Sequence, residues 1–231
     1  MSSRMVVRLL LLLACLVFSA GPVTTAQGND PDPARFKADI EAFRQWDTKN
    51  AVPVDGVLFV GSSTIRLWPT ATRFADLPVI NRGFGGSQIS DVNHYVEDLV
   101  LKYRPAVVVL YAGDNDINAG KAPERVAADY RTFATRVLAA RRDTRIIFLA
   151  IKPSPARWTL WAKMQDANER IRSYGLGVGP QLIYADVATP MLTATGETQA
   201  HLYVEDGLHM TPAGYDIWTR ILAPLIAQAR R

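Results

Sequence analysis

Residues 106–116 read Ala-Val-Val-Val-Leu-Tyr-Ala-Gly-Asp-Asn-Asp, and this stretch decides the fold class. Its first six residues are continuously apolar, a pattern typical of a strand that is buried on both faces. A polar cluster at 113–116 follows almost at once. The stretch therefore predicts a strand inside a sheet that is covered on both sides, with polar groups beyond its carboxyl end.

The same pattern recurs along the chain, with helix-like segments between the apolar runs. Four further runs predict strands at 56–61, 78–81, 145–151 and 181–185. Amphipathic segments predict helices at 33–49, 87–102, 121–142, 157–174 and 212–229. Alternating strands and helices favour a parallel sheet with helices on both sides. We therefore predict an α/β fold, a single-domain three-layer α/β/α sandwich with a five-stranded parallel sheet.

Polar clusters follow the predicted strands at the edge where open α/β sheets bind their ligands. The four clusters are Gly61-Ser62-Ser63, Gly85-Gly86-Ser87, Gly113-Asp114-Asn115-Asp116 and Asp206-Gly207-Leu208-His209. Because the carboxyl ends of parallel strands meet at one edge of the sheet, we expect these clusters to converge there.

Asp206 and His209 form a compact acid–imidazole unit near the end of the chain. Such a unit needs a nucleophile to serve, as in the triad of a serine hydrolase. The chain has only three histidines, so His94 and His201 are the sole other candidates for a general base. The doublet Ser62-Ser63 offers a candidate nucleophile, because a serine between a strand and a helix can expose its hydroxyl and use its own N–H as an anion donor.

In their order along the chain, the four clusters resemble the motif blocks of the SGNH hydrolases, also called GDSL-type esterases. The resemblance implies the flavodoxin-like fold of that family and an acetylhydrolase-like ester hydrolase. The catalytic residues that it implies are Ser63, Asp206 and His209. The oxyanion-hole donors that it implies are the backbone N–H groups of Ser63 and Gly86 and the side-chain amide of Asn115.

Each cluster also has a purely structural interpretation when it stands alone. Gly61-Ser62-Ser63 is compatible with an ordinary loop and Gly85-Gly86 with a flexible turn. Asn115 is compatible with an Asx turn or a helix cap, and Asp206 with a helix cap. One departure from the family pattern adds a question, because Ser62 stands where an acidic residue usually precedes the nucleophile. Two hydroxyl groups are therefore adjacent.

The predicted function is hydrolysis of a carboxylic ester through an acyl-enzyme intermediate. The expected partner is a small-molecule or glycan ester that carries a short acyl or acetyl group on a carbohydrate or lipid. Two alternatives stay open: lysophospholipase, thioesterase or acyltransferase activity on the same fold, and a catalytically silent glycan-binding domain. Arg66 and Trp68 follow the nucleophile and are candidates for shaping an acyl pocket.

The N-terminus predicts a secretory signal peptide over residues 1–26. Two arginines precede a twelve-residue apolar core, Leu9–Ala20, and small residues lead up to Ala26. This core is too short to span a membrane, which takes about 20 apolar residues. A lipoprotein signal at Cys15 is the alternative. We expect a secreted or periplasmic protein whose esterase domain covers 27–231, without a stable membrane span after cleavage.

Composition argues against several other kinds of site. Cys15 is the only cysteine, so a chain cleaved at Ala26 has no disulfide, cysteine nucleophile or thiolate metal site. The net charge falls from +4 to +2 when Arg4 and Arg8 leave with the leader, and no basic run is interleaved with aromatic residues. Nucleic-acid binding is therefore not expected. Metal-ligand spacings such as His-Glu-x-x-His do not occur, and the sequence predicts neither a metal nor a cofactor.

Overall fold

The apolar runs form one parallel sheet in the computed structural model, which describes residues 30–231. Its strands are β1 (Val57–Gly61), β2 (Val79–Gly83), β3 (Val107–Tyr111), β4 (Arg145–Leu149) and β5 (Leu182–Ala185). They lie in the order β2-β1-β3-β4-β5, and every neighbouring pair is parallel. The predicted five-stranded sheet and its α/β class are confirmed. The signal peptide predicted at 1–26 lies outside the described residues.

The long helices lie close to the predicted segments, whereas three short helices were not predicted. The helices are α1 (Lys37–Lys49), α2 (Ser63–Arg66), α3 (Thr70–Arg73), α4 (Ile89–His94), α5 (Val96–Leu99), α6 (Asp114–Asn118), α7 (Pro123–Ala140), α8 (Trp161–Val178) and α9 (Pro212–Ala229). The helix predicted over 87–102 is divided into α4 and α5, because the backbone leaves the helical range at Tyr95 (φ −99°, ψ 20°). The helix predicted over 157–174 starts later, after a 3₁₀ segment at Pro155–Leu160.

Side chains of the sheet alternate between two apolar cores, one on each face. On β1, Leu58 and Val60 point into the core that contains side chains from α1, α4, α5, α7 and α8. Val57 and Phe59 point into the other core, where α9 supplies Trp218 and other large side chains. Because both faces of the sheet are covered, β1 and β3 are apolar along their whole length, as the sequence pattern indicated, whereas the edge strand β2 carries Asn81 and Arg82.

The strand order places a switch point between β1 and β3. The chain leaves β1 for β2 on one side and later returns to form β3 on the other side. In doubly wound sheets, the crevice at such a point is the usual ligand site, because loops from neighbouring strands diverge there. Among the described residues, no helix is both long and apolar enough to cross a membrane.

Candidate active site

The end of β1 sets the position of the two serines. Gly61 has a φ of +135°, and a Cβ atom at this position would lie 1.8 Å from the carbonyl oxygen of Tyr111 on β3. Only glycine therefore permits the two strand ends to approach so closely. The N–H of Ser62 then donates to that same carbonyl at 3.0 Å, and the chain turns into α2 at Ser63.

The two adjacent serines have opposite surroundings. Ser62 is fully buried, and its hydroxyl has no hydrogen-bond partner within residues 30–231. Ser63 is partly exposed, and its Oγ lies 2.9 Å from Nε2 of His209. The structure therefore brings the hydroxyl of Ser63, rather than that of Ser62, to an imidazole.

Asp206 and His209 form what we call the acid–base side of the site. Oδ2 of Asp206 lies 2.5 Å from Nδ1 of His209, while Oδ1 accepts hydrogen bonds from the N–H groups of Leu208 and His209 at 2.8 and 2.9 Å. One carboxylate thus closes the turn and also contacts the ring. No helix of the described residues starts at this turn, so the interpretation of Asp206 as a helix cap is wrong. The hydrogen bond from His209 lowers the pKa of Asp206 to about 2.

Gly86 and Asn115 form the other side of the site, which we call the oxyanion side after the role that the sequence predicts for it. Gly86 has a φ of +80°, and a Cβ atom there would meet nothing within 4 Å, so its backbone faces open space. Within the described part of the chain, the N–H groups of Ser63 and Gly86 donate to no protein acceptor. Nδ2 of Asn115 donates to the carbonyl of Ser87 at 3.0 Å, which leaves its second hydrogen available. The structure thus brings three hydrogen-bond donors to the same edge of the sheet as Ser63.

A buried charge cluster lies beneath the oxyanion side. The carboxylate of Asp116 is fully buried and accepts the N–H of Ile89 at 3.1 Å, which holds the start of α4 just after the glycine turn. Nζ of Lys121 lies 3.2 Å from Asp116, 3.1 Å from Asp129 and 2.8 Å from Asp30. Burial raises the pKa of Asp116 to about 7. Burial alone would lower the pKa of Lys121, but its three carboxylate neighbours raise that pKa overall.

The segment that follows β4 contacts the acid–base side. Nζ of Lys152 is buried and donates to the carbonyl of Leu208 at 2.8 Å, inside the Asp206–His209 turn. The N–H of Ala156 donates to the carbonyl of Gly207 at 3.1 Å. Burial lowers the pKa of Lys152 to about 8. These contacts fasten the turn that carries the imidazole to the end of the fourth strand.

An open pocket of about 470 Å³ lies beside Asp206 and His209. Its walls are mainly apolar and include Leu67, Val204 and Met210. Leu67 and Val204 are 49% and 44% exposed, so both present apolar surface to the pocket. The pocket gives the acid–base side an apolar neighbour that could take a small organic group.

Other candidates from the sequence lie elsewhere. The expectation that Trp68 shapes an acyl pocket is wrong, because its ring is buried in the core and stacks on Tyr215 at 5.6 Å. Arg66 is exposed, and its guanidinium lies over the backbone of Gly85. His94 and His201 are exposed and contact neither serine hydroxyl. Across residues 30–231, no three His, Cys, Asp or Glu side chains are grouped to hold a metal ion.

Sequence reasoning missed the charged side chains that support the site. Lys121 and Arg157 belong to no motif. Lys121 contacts the distant Asp30 as well as the nearby Asp116, and Arg157 contacts the distant Asn115. The sequence contains one indication of Lys152, because this residue directly follows the fourth apolar run, at the same sheet edge as the other polar clusters. A search of all strand ends for lone basic residues would have found it.

A family comparison agrees with the motif blocks. The model of the GDSL-like Lipase/Acylhydrolase family matches residues 60–217, a span that contains all four polar clusters. The resemblance to the SGNH hydrolases is thereby confirmed. No curated relative matches the chain significantly.

Solved structures share the fold over most of their length. A GDSL-like lipase from Bacteroides thetaiotaomicron superimposes with a TM-score of 0.73 at 23% sequence identity, covering 83% of this chain and 98% of that chain. An acetylxylan esterase from Geobacillus stearothermophilus, solved as a catalytic mutant, gives a TM-score of 0.61 at 14% identity, covering 75% and 95%. At these identities the similarity establishes a shared fold, and the flavodoxin-like SGNH architecture is confirmed.

Proposed function

The chain belongs to the GDSL-like lipase/acylhydrolase family, and on that premise we propose that it is an exported serine esterase. Its substrates are carboxylic esters with short acyl or acetyl groups on a carbohydrate or a lipid. The observation that carries this proposal is the continuous contact from Asp206 through His209 to the hydroxyl of Ser63, with separations of 2.5 and 2.9 Å.

Acylation begins when Oγ of Ser63 attacks the ester carbonyl. Nε2 of His209 accepts the hydroxyl proton as the new C–O bond forms, and the negative charge moves to the carbonyl oxygen. Asp206 accepts the Nδ1–H hydrogen bond, which holds the ring in the useful tautomer and stabilises the imidazolium. The imidazolium then gives its proton to the departing alcohol as the C–O bond of the ester breaks.

The negative charge on the tetrahedral intermediate needs hydrogen-bond donors that are already in place. The N–H groups of Ser63 and Gly86 and the second Nδ2 hydrogen of Asn115 are assigned this role. Each is a neutral donor, so together they stabilise the oxyanion without adding a charge to the resting site. In comparable sites, losing one such donor costs about 10²- to 10³-fold in kcat.

Deacylation repeats these steps with water as the nucleophile. Nε2 of His209, neutral again after the alcohol leaves, accepts a proton from water as the water oxygen attacks the acyl carbon. The same three donors bind the second oxyanion. Collapse of that intermediate breaks the bond to Oγ, returns the proton to Ser63 and releases the carboxylic acid.

The proposed ester class follows from the surroundings of Asp206 and His209. The pocket beside His209 has mainly apolar walls, which suit an apolar acyl or alcohol group. Acetylated carbohydrate is the first natural substrate to test, because one structural neighbour is an acetylxylan esterase. A signal peptide at 1–26 would export the enzyme to where such polymers occur. Mass spectrometry of the mature N-terminus distinguishes cleavage after Ala26 from lipidation at Cys15.

The decisive experiment compares Ser63→Ala with Ser62→Ala on a short-chain chromogenic ester. We expect Ser63→Ala to abolish the acyl-enzyme burst and lower kcat by about 10⁵-fold or more, as in other nucleophile knockouts. Ser62→Ala is the matched control and should retain the burst, since its hydroxyl is buried away from His209. Wild-type kinetics in Ser63→Ala would overturn the assignment. Glycan binding without hydrolysis of any ester would favour the silent binding domain.

A further inference from the structure

An asparagine side chain can turn either its amide nitrogen or its amide oxygen toward an oxyanion, whereas a backbone N–H can only donate. The amide of Asn115 is nearly symmetric in shape, so a half-turn about its last bond would exchange Nδ2 for Oδ1. An oxygen aimed at the developing oxyanion would repel it. The site therefore needs a contact that fixes which end of the amide faces the substrate.

Arg157 supplies that contact. Its Nη2 donates to Oδ1 of Asn115 at 2.9 Å. A guanidinium has only donors, so the atom that faces it must be the amide oxygen. On the other end of the amide, the carbonyl of Ser87 only accepts, and it lies 3.0 Å from Nδ2. Both neighbours thus select the same orientation of the amide.

The guanidinium is itself held by a second contact on the same helix. Nη1 of Arg157 lies 3.0 Å from Oδ2 of Asp114, and the two side chains are only 12% and 6% exposed. Oδ1 of Asp114 accepts the N–H of Asn115 at 3.0 Å. Arg157 therefore reaches across from the 3₁₀ segment after β4 and bridges two consecutive residues of α6. Limited exposure strengthens this ion pair relative to a surface pair.

We propose that Arg157 is a positioning residue that fixes the donor face of Asn115 toward the oxyanion. The inference rests on the proposed function, in which Asn115 is an oxyanion donor. Charge on the guanidinium also withdraws electron density from the amide oxygen, which makes the Nδ2 hydrogens better donors. Arg157 touches no reacting atom and acts only through Asn115.

A double-mutant cycle on the full chain tests this inference, with kcat and KM measured on the chromogenic ester. Arg157→Met keeps the length of the side chain but removes its donors. We expect kcat to fall about tenfold or more with little change in KM, because an oxyanion donor acts in the transition state. In the Asn115→Ala background, the same change should alter kcat by less than about twofold, because the partner through which it acts is gone.

The outcomes distinguish the role proposed for Asn115 from the role proposed for Arg157. If Asn115→Ala leaves kcat unchanged, the role of Asn115 fails and the inference about Arg157 fails with it. If Asn115→Ala lowers kcat but Arg157→Met has no effect, or the same effect in both backgrounds, only the inference about Arg157 is overturned. Circular dichroism melting verifies folding of each variant. Arg157→Lys, which keeps a cation beside Asp114, replaces Arg157→Met in the cycle if the latter does not fold.

Discussion

The two sides of Ser63 are built in different ways. On the acid–base side, Asp206 and His209 are three residues apart, and their side chains are 47% and 28% exposed. On the oxyanion side, Gly86 and Asn115 come from distant segments and rest on the fully buried Asp116 and its neighbours. On the first side a local turn places the carboxylate beside the imidazole, and Lys152 and Ala156 fasten that turn, whereas the second side depends wholly on long-range packing. We therefore expect substitutions on the acid–base side to lower the catalytic rate without lowering the stability of the fold. On the oxyanion side, we expect the catalytic rate and the stability to be linked.

The largest effect is expected on the acid–base side. His209→Ala should lower kcat by about 10⁵- to 10⁶-fold, and Asp206→Asn by about 10⁴-fold, as in other serine triads. Because both side chains are partly exposed and their turn is fastened through its backbone, thermal unfolding midpoints should scarcely change. Steady-state kinetics and differential scanning calorimetry on the same samples measure both quantities. A large drop in the midpoint would contradict the separation of chemistry from stability on this side.

On the oxyanion side, Asn115→Ala should lower kcat by about 10²- to 10³-fold and leave KM nearly unchanged. Its amide binds the transition state more strongly than the ester, so the loss should appear in kcat. Asn115→Asp is the matched variant of equal size, and it should be at least as impaired because a carboxylate repels the oxyanion. An increase in KM at constant kcat would instead assign Asn115 to ground-state binding.

The buried cluster beneath the oxyanion side should matter for folding. Lys121→Met leaves the carboxylates of Asp116 and Asp129 without their shared cation, and breaking a buried pair costs about 3–5 kcal/mol. Urea denaturation measures the change in the free energy of unfolding. Arg172→Met is the control, since its pair with Glu169 lies on the surface and its removal should change stability little. Equal effects of the two variants would refute the contrast between buried and exposed charges.

The smallest effect concerns pH. The pKa of Asp206 is lowered from 3.8 to about 2, so its interaction with His209 stabilises the fold above the unfolded value and is lost as the pH falls through the folded value. Above roughly pH 4, Asp206 therefore keeps its charge and adds no proton loss to the pH–rate profile. The logarithm of kcat/KM should rise with pH with a slope no greater than one, which is set by the general base. A slope near two would indicate a second proton loss, and Asp116, whose pKa burial raises to about 7, is the candidate for it.

Sequence patterns predicted the sheet well because both faces of each strand are buried. The runs at 106–111 and 145–151 need no partner to be recognised, and the structure trims them by only one or two residues. The short helices Ser63–Arg66 and Asp114–Asn118 were missed, because a single helical turn shows no apolar periodicity. Their start positions nevertheless fall within the polar clusters.

Candidate residues were predictable where motif and strand end coincide, as at Ser63 and Asn115. Within the serine doublet, the family resemblance selected Ser63, whereas the local pattern left both hydroxyls open, because the choice depends on which hydroxyl the turn after Gly61 brings to His209. Arg157 was invisible for a different reason. Its partners Asp114 and Asn115 lie some forty residues away, and nothing in the local pattern of 155–160 distinguishes a supporting arginine from a surface one.

The short segment 152–157 meets both sides of the site, since Lys152 and Ala156 hold the Asp206–His209 turn and Arg157 holds Asn115. This segment connects the two sides of the site, which otherwise share little beyond Ser63. This arrangement has an evolutionary consequence. Surface turns outside this segment, such as the exposed 193–197, can diverge in length and composition without disturbing the predicted site residues. A shift of the backbone within 152–157 should disturb both sides of the site together, whereas a change of one side chain should disturb only the side that it contacts.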